Sequence, residues 1–219
     1  MLLFDIGANR GDVVRAGLEQ GFRVIALEPS RIYSELLRNY IYDERVIALK
    51  FAVSDKDYQK IDFYECIEDG LSTTNKDWLT DPSMPYCGKE YRTTSCTTIT
   101  IDTLVKLYGE PDLIKIDVEG AEWAVIRGMS KPYKMTFEWT LETLDQHQEQ
   151  IEYLKSLGYT RVAPQFIEHH LQEPTRYYDI NLFKLDTWVK NQAPVWIDSG
   201  WKKAGLRPTA DVGMLWFSQ

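Results

Sequence analysis

Short apolar runs alternate with amphipathic stretches along most of the chain, and that rhythm restricts the fold more than any other feature of the sequence. The runs fall at residues 2–6, 23–27, 46–53, 113–116, 134–139 and 159–163. Between them, residues 12–20 read as a helix closed by Gly21, and residues 144–157 as one closed by Gly158. Ile32, Leu36, Leu37, Tyr40 and Ile41 fall at helical spacing after a capping Ser30, and Ala121, Ala124, Val125 and Ile126 do so after Gly120. Strands alternating with helices build right-handed β-α-β units, so the expectation is an α/β chain with a mostly parallel sheet covered on both faces. Residues 61–102 break the rhythm. There, 61–66 and a Thr-rich 92–101 read as an antiparallel β-hairpin inserted at a sheet edge. Residues 164–211, punctuated by Pro164, Pro174, Pro194 and Pro208, read as irregular, and 213–217 as a final strand, with 180–185 its rival. No repeat or low-complexity tract divides the chain, so residues 1–219 read as a single domain.

Composition narrows the function classes. With 219 residues, 44% apolar and 26% charged, the chain can bury a core without a disulfide or a metal. A net charge of −8 argues against a non-specific nucleic-acid binder, which needs a basic footprint. No apolar run approaches the ~20 residues that span a bilayer. The start, Met1-Leu2-Leu3-Phe4-Asp5, lacks the basic region of a signal peptide. Cys66, Cys87 and Cys96 are odd in number and lack C-x-x-C spacing, which reads as reduced thiols in a cytoplasmic protein. With His147, His169 and His170 they show no zinc-ligand spacing.

The most informative stretch is Asp5-Ile6-Gly7-Ala8-Asn9-Arg10-Gly11-Asp12, which follows a strand and opens a helix. Gly7 permits a sharp turn, and Gly11 permits close approach to a helix N-terminus. Glu28 ends the next strand, 21 residues after Gly7. A carboxylate there can accept both hydroxyl hydrogens of an adenosine ribose. The turn is G-x-x-x-G rather than the G-x-G-x-x-G of dinucleotide folds. Asp5, just below it, would repel a pyrophosphate and attract an ammonium. The electrostatics favour S-adenosylmethionine, which carries an ammonium and a sulfonium but no phosphate, over NAD.

Four motifs in order, Asp5–Asp12 above, Ala26-Leu27-Glu28-Pro29-Ser30, Ala52-Val53-Ser54-Asp55 and Leu113-Ile114-Lys115-Ile116-Asp117-Val118-Glu119-Gly120-Ala121-Glu122, resemble those of the FkbM family of S-adenosylmethionine-dependent methyltransferases. Gly70-Leu71-Ser72-Thr73 and Thr100-Ile101-Asp102-Thr103-Leu104 are similar to further family features. The resemblance covers about residues 2–140. It implies a Rossmann-like seven-stranded methyltransferase sheet, mostly parallel with one reversed strand, and O-methylation, often of a sugar in a glycan or glycosylated natural product. It implies that Asp5, Gly7, Asn9 and Gly11 surround the methionine end of the cofactor. Glu28 would then hold the ribose, flanked by Pro29 and Ser30, with Ala52 and Val53 near the adenine. Asp117 would lie under the sulfonium and the incoming acceptor. Residues 164–211 would form an acceptor-side segment, and the chain could be a domain of a larger glycan-synthesis enzyme.

Methyl transfer to a hydroxyl needs an aligned oxygen, excluded water and a proton acceptor. The candidates for positioning and proton handling are Asp117 and Glu138, with Glu119 behind them, while Glu122 reads as a first-turn helix charge. His169 and His170 read as surface loop residues, and Glu142, Asp145 and Glu149 as a solvated helix face. Asp117 and Glu138 end neighbouring strands, where two carboxylates could share a divalent cation. Trp139, which follows Glu138, cannot ligate, so no metal site is assigned. Trp78, Tyr86, Tyr91 and Trp139 are candidate walls for a sugar acceptor. Other readings stay open: a methyltransferase acting on a protein or a small natural product, an NAD-type oxidoreductase, and a non-catalytic cofactor-binding module.

Overall fold

The computed structural model describes residues 1–68, 70–166, 171–198 and 212–219. The first half delivers three parallel strands, β1 (Leu2–Ile6), β2 (Arg23–Leu27) and β3 (Val46–Leu49), linked by helices α1 (Asp12–Glu19) and α2 (Tyr33–Tyr40). After β3 the chain leaves the sheet. β4 (Ala52–Val53) instead pairs with β6 (Tyr91–Ile99), which forms an antiparallel hairpin with β5 (Lys60–Cys66). A short helix, α3 (Asp77–Thr80), lies in the hairpin's long connection. Helix α4 (Ile101–Tyr108) returns to the main sheet at β7 (Leu113–Ile116), and α5 (Glu122–Arg127) leads to β8 (Met135–Thr140). A 3-10 turn, Leu141–Thr143, runs into α6 (Leu144–Ser156) and β9 (Arg161–Phe166). A two-residue strand, β10 (Tyr178–Asp179), then α7 (Leu185–Asp198) and β11 (Val212–Ser218) complete the described chain.

The main sheet has eight strands in the order β10-β9-β11-β8-β7-β1-β2-β3, with the three-stranded β4-β6-β5 sheet separate. Six of the eight run the same way. β11 is antiparallel to both its neighbours, and β10 is antiparallel to β9. The seven-strand expectation is therefore corrected by one added, reversed edge strand. The predicted single strand over 46–53 is also two. Register pairing with β2 ends at Leu49, while Ala52 and Val53 pair with Thr98 and Ile99 of the inserted hairpin.

Successive residues of β1 serve opposite faces, as the two-residue period of a strand requires. Phe4 and Ile6 join Ile114, Ile116, Met135, Phe137 and Leu154 in one buried cluster, and Leu3 joins Val13, Val14, Val24 and Leu36 in the other. Both faces are covered, which is why β1, β2 and β7 read as near-continuous apolar runs rather than alternating ones. The proline-punctuated region contains a helix that sequence reading missed. Leu185 and Val189 of α7 are buried in the first cluster, and Trp188 stacks on Phe166 with ring centroids 4.6 Å apart. Tertiary burial there outweighs the local signals. Of the two candidates for the last strand, 213–217 is the one that pairs, within β11.

Candidate functional site

The turn after β1 is fixed by steric exclusion. Gly7 has φ +79°, and a Cβ on it would lie 1.8 Å from the backbone oxygen of Asp117. Only glycine lets the β1 turn and the end of β7 approach this closely. Two residues on, Asn9 also takes positive φ (46°), a conformation asparagine tolerates better than most residues. Its backbone N–H donates to Glu28 Oε2 at 2.9 Å, and the N–H of Ser30 donates to Glu28 Oε1 at 2.8 Å. Glu28 is 7% exposed. Its carboxylate thus clamps the first turn to the end of β2, and each oxygen keeps further acceptor capacity.

These strand ends open into a cavity whose empty space, open mouth included, is about 800 Å³. Gly7, Asn9, Glu28, Pro29 and Ser30 line one side, and Ile32, Phe51, Ala52, Val53 and Phe63 an apolar side. Asp117, Val118, Glu119 and Ala121 line the end beyond β7, and Gly70, Ser72, Thr73 and Thr74 of the insert close the wall opposite the turn. Among the described residues, three carboxylates and no Lys or Arg line this space. It suits a cationic ligand and offers no counter-charge to a pyrophosphate.

Of the expected cofactor residues, Gly7, Asn9, Glu28, Pro29, Ser30, Ala52, Val53 and Asp117 line the cavity, whereas Asp5 and Gly11 do not. Asp5 is fully buried on β1, in register with Lys115 of β7. Gly11 has φ +95°, and a Cβ there would meet the Tyr40 ring at 2.4 Å, so it admits Tyr40, whose hydroxyl donates to Gly11 O at 2.7 Å. Packing against Tyr40 is thus a further reason for glycine here, beside the expected approach of a ligand.

Asp117, Glu119 and Glu138 each present a carboxylate oxygen within 4.8 Å of the others. The strand-tip pair expected from sequence is therefore a trio of hard oxygen donors, of the kind divalent cations take. Glu138 joins this trio without lining the cavity. Lys115 Nζ lies 2.9 Å from Asp117 Oδ2, with its own side chain 5% exposed. Sequence reading gave Lys115 no role, although a lysine inside the apolar run Leu113–Ile116 was the available signal. Burial pushes the Glu119 carboxyl well above the ordinary carboxylate range, and Asp117 beside it adds to the shift. Glu122 stands in the first turn of α5, as expected, but not in solvent. It is 4% exposed, and burial, with Asp117 adding, pushes its pKa up to about 7.

None of the four aromatic candidates lines the cavity. Trp139 is fully buried, with its indole N–H on Gln165 O, and Trp78 packs edge-on against Tyr86. Tyr91 borders a separate surface hollow with Arg31, Glu65 and Arg92. Glu142, Asp145 and Glu149 are exposed as expected. His169 and His170 lie outside the described residues.

A sequence model of the FkbM methyltransferase domain matches residues 5–161. The chain belongs to the FkbM methyltransferase family. No curated protein sequence matches it. Solved structures similar to this family member include precorrin-6Y C5,15-methyltransferase from Geobacter metallireducens, with 12% identity and a TM-score of 0.42 over 100% of this chain and 81% of that chain. The C-terminal domain of the Rhodobacter capsulatus precorrin-6Y enzyme has 13% identity and a TM-score of 0.43 over 100% and 79%. Phosphoethanolamine N-methyltransferase 2 of Haemonchus contortus, solved with S-adenosyl-L-methionine, has 13% identity and a TM-score of 0.38 over 99% and 47%. The FkbM-family chain is a methyltransferase, and S-adenosylmethionine is its cofactor. The residues present fit that group: an acid clamped at the end of β2, an apolar wall, and a carboxylate-lined end where Lys115 is already paired with Asp117. Among the described residues, no helix is long and apolar enough to cross a membrane.

Proposed function

We propose that this methyltransferase transfers the methyl group to a hydroxyl of a sugar, in a glycan or glycoconjugate of the cytoplasm. The observation that carries the reading is the carboxylate trio of Asp117 and Glu119, which line one end of the cofactor cavity, and Glu138 within 4.8 Å of them. A sugar hydroxyl is a poor acid, so its transfer chemistry calls for a nearby proton acceptor, and a carboxyl raised above its usual range is a better one. The bound cofactor supplies a methyl group already activated on a sulfonium. Glu28 takes the ribose hydroxyls on the acceptor capacity left beside its two backbone donors. The apolar wall of Phe51, Ala52, Val53 and Phe63 encloses the adenine and keeps water from it. Gly7 and Asn9 shape the turn at the methionine end, and Asp5, buried beneath it, adds negative potential favouring the ammonium. Asp117, braced by Lys115, faces the sulfonium end. Glu119 and Glu138 orient the acceptor hydroxyl and receive its proton.

The test is incubation with labelled methyl donor and a panel of mono- and oligosaccharides, with and without Mg²⁺. Label that enters a carbohydrate and resists mild alkali, as an ether does, is the expected result. Label that enters only protein, or only carbon or nitrogen positions of other acceptors, overturns the sugar reading while leaving the family membership intact.

A further inference from the structure

The inserted hairpin reaches across the cavity to the loop that carries Glu119. Trp78, 3% exposed, donates its indole Nε1–H to Glu119 Oε2 at 3.2 Å. Its ring also lies flush against Gly120, where a Cβ would sit 2.5 Å from Trp78 Cε3. Three residues earlier, Asn75 Nδ2–H donates to Gly120 O at 2.9 Å, and the Asn75 backbone N–H is held by Thr73 Oγ1 in the cavity wall. Glu119 and Gly120 both have positive φ, 55° and 80°. For a glutamate that backbone is strained, and it persists only where surrounding contacts over-determine it. The insert supplies contacts to both residues, and Glu122 of α5 adds one by accepting from the Val118 N–H at 3.3 Å.

We infer that Trp78 is a positioning residue of the methyl-transfer centre: its indole N–H and ring fix the Glu119 carboxyl beside Asp117 at the cavity's sulfonium end. This rests on the reading of that end as the place of transfer. It gives the insert a role beyond closing a wall, because it supplies the donor that orients one carboxylate of the trio. The other charged groups around Glu119 are Asp117, Glu122 and Lys115 on its own segment, Glu138 from β8, and the Cys66 thiol from the hairpin. Among the hydrogen-bonded contacts that reach Glu119, the indole is the one that comes from the insert.

The test needs no acceptor. S-adenosylmethionine carries a sulfonium and S-adenosylhomocysteine a neutral thioether, so the ratio of their affinities reads the negative charge placed beside the sulfur. Calorimetric titration of the full chain at pH 8 should show Glu119→Gln lowering that ratio by about threefold or more. Trp78→Phe, which keeps a ring but loses the donor, should lower it similarly while S-adenosylhomocysteine affinity stays within about twofold. The double variant should fall no further than Glu119→Gln alone, since the two changes remove one shared interaction. Equal weakening of both ligands by Trp78→Phe, or additive losses in the double variant, overturns the proposal, because a purely structural tryptophan behaves that way. Should Trp78→Phe not fold, the indole N–H resonances of the unmodified chain decide. One of them should move in Glu119→Gln and on addition of S-adenosylmethionine, and none moving sinks the idea. Failure of the unmodified chain to bind either ligand removes the reading of the cavity and this proposal together. Binding of both with an unchanged ratio in Trp78→Phe removes only the latter.

Discussion

A methyl group added at position 7 would occupy the space of the Asp117 carbonyl oxygen, and the positive φ there is unfavourable for any side chain. Gly7→Ala should therefore destabilise the protein by about 3 kcal/mol or more, read as a lower urea midpoint. Because the displaced atom belongs to Asp117, cofactor affinity should fall with it. Glu28 carries two loads at once. Glu28→Ala removes the acceptor for the Asn9 and Ser30 N–H groups, which should cost about 2 kcal/mol of stability. It also removes the ribose partner, so S-adenosylhomocysteine affinity measured by calorimetry should drop about a hundredfold. Unchanged binding in a folded Glu28→Ala protein would remove the ribose assignment. Both residues were legible in the sequence, because a glycine after a strand and an acid 21 residues later have a chemical meaning together. Gly11 was legible as a glycine but not in its packing, since nothing local announces that Tyr40 will pack on it. Glu119 was legible as an acid near the strand tip but not in its setting, since the indole donor it accepts from belongs to Trp78, 41 positions away.

Among the elements, α4 opens at Ile101, where the Thr-rich strand was expected to run on, so its cap went unread. Thr100 caps it, its side chain accepting from the Thr103 N–H at 3.1 Å. Asp57, from the loop after β4, accepts from the Thr100 N–H and from the Thr103 hydroxyl, both at 2.7 Å. Those bonds outweigh the burial that would raise the Asp57 carboxyl and hold it below its ordinary range. Thr100→Ala should cost about 1 kcal/mol in thermal or urea unfolding, and Thr100→Ser should restore most of it. A loss no larger than the scatter between replicates would mean that Asp57 alone fixes the start of the helix. The parallel strands were readable because burial on both faces leaves apolar runs broken only by single charges such as Asp5 and Lys115. β10 was not, since two residues at a sheet edge carry no periodicity. α7 was hidden because its apolar residues find their partners, Trp139 and Phe166, in distant strands. The break between β3 and β4 falls just after Lys50, the one charge within residues 46–53, but only pairing shows which sheet each half joins.

At the scale of the whole molecule, two fully enclosed titratable groups pull stability in opposite directions with pH. His147, on α6, is 4% exposed, and burial lowers its pKa to about 4, against the raising effect of its contact with Gln150. Its ring sits among Thr140, Thr143 and Gln150, holding the end of β8 two residues beyond Glu138. The unfolded chain binds a proton there near pH 6.5, so the contribution of His147 is complete above that value and is lost as pH falls towards 4. Glu122 behaves conversely. Its folded pKa of about 7 exceeds the unfolded 4.5, so its contribution is complete below pH 4.5 and is lost as pH rises towards 7. Each span is worth about 3 kcal/mol. Glu119 adds to the second trend, as its carboxyl is also raised. Glu122→Gln removes one ionisation and keeps an acceptor for the Val118 N–H. Its urea-unfolding free energy should therefore gain on the unmodified protein by about 3 kcal/mol between pH 4.5 and 7, with the two curves parallel beyond those limits. His147→Gln should move against the unmodified protein in the opposite sense, its relative disadvantage shrinking as pH falls from 6.5 to 4. Parallel curves for Glu122→Gln across the whole window would show that this carboxyl ionises normally. The carboxylate cluster at the cavity would then carry more negative charge near neutral pH than its burial allows.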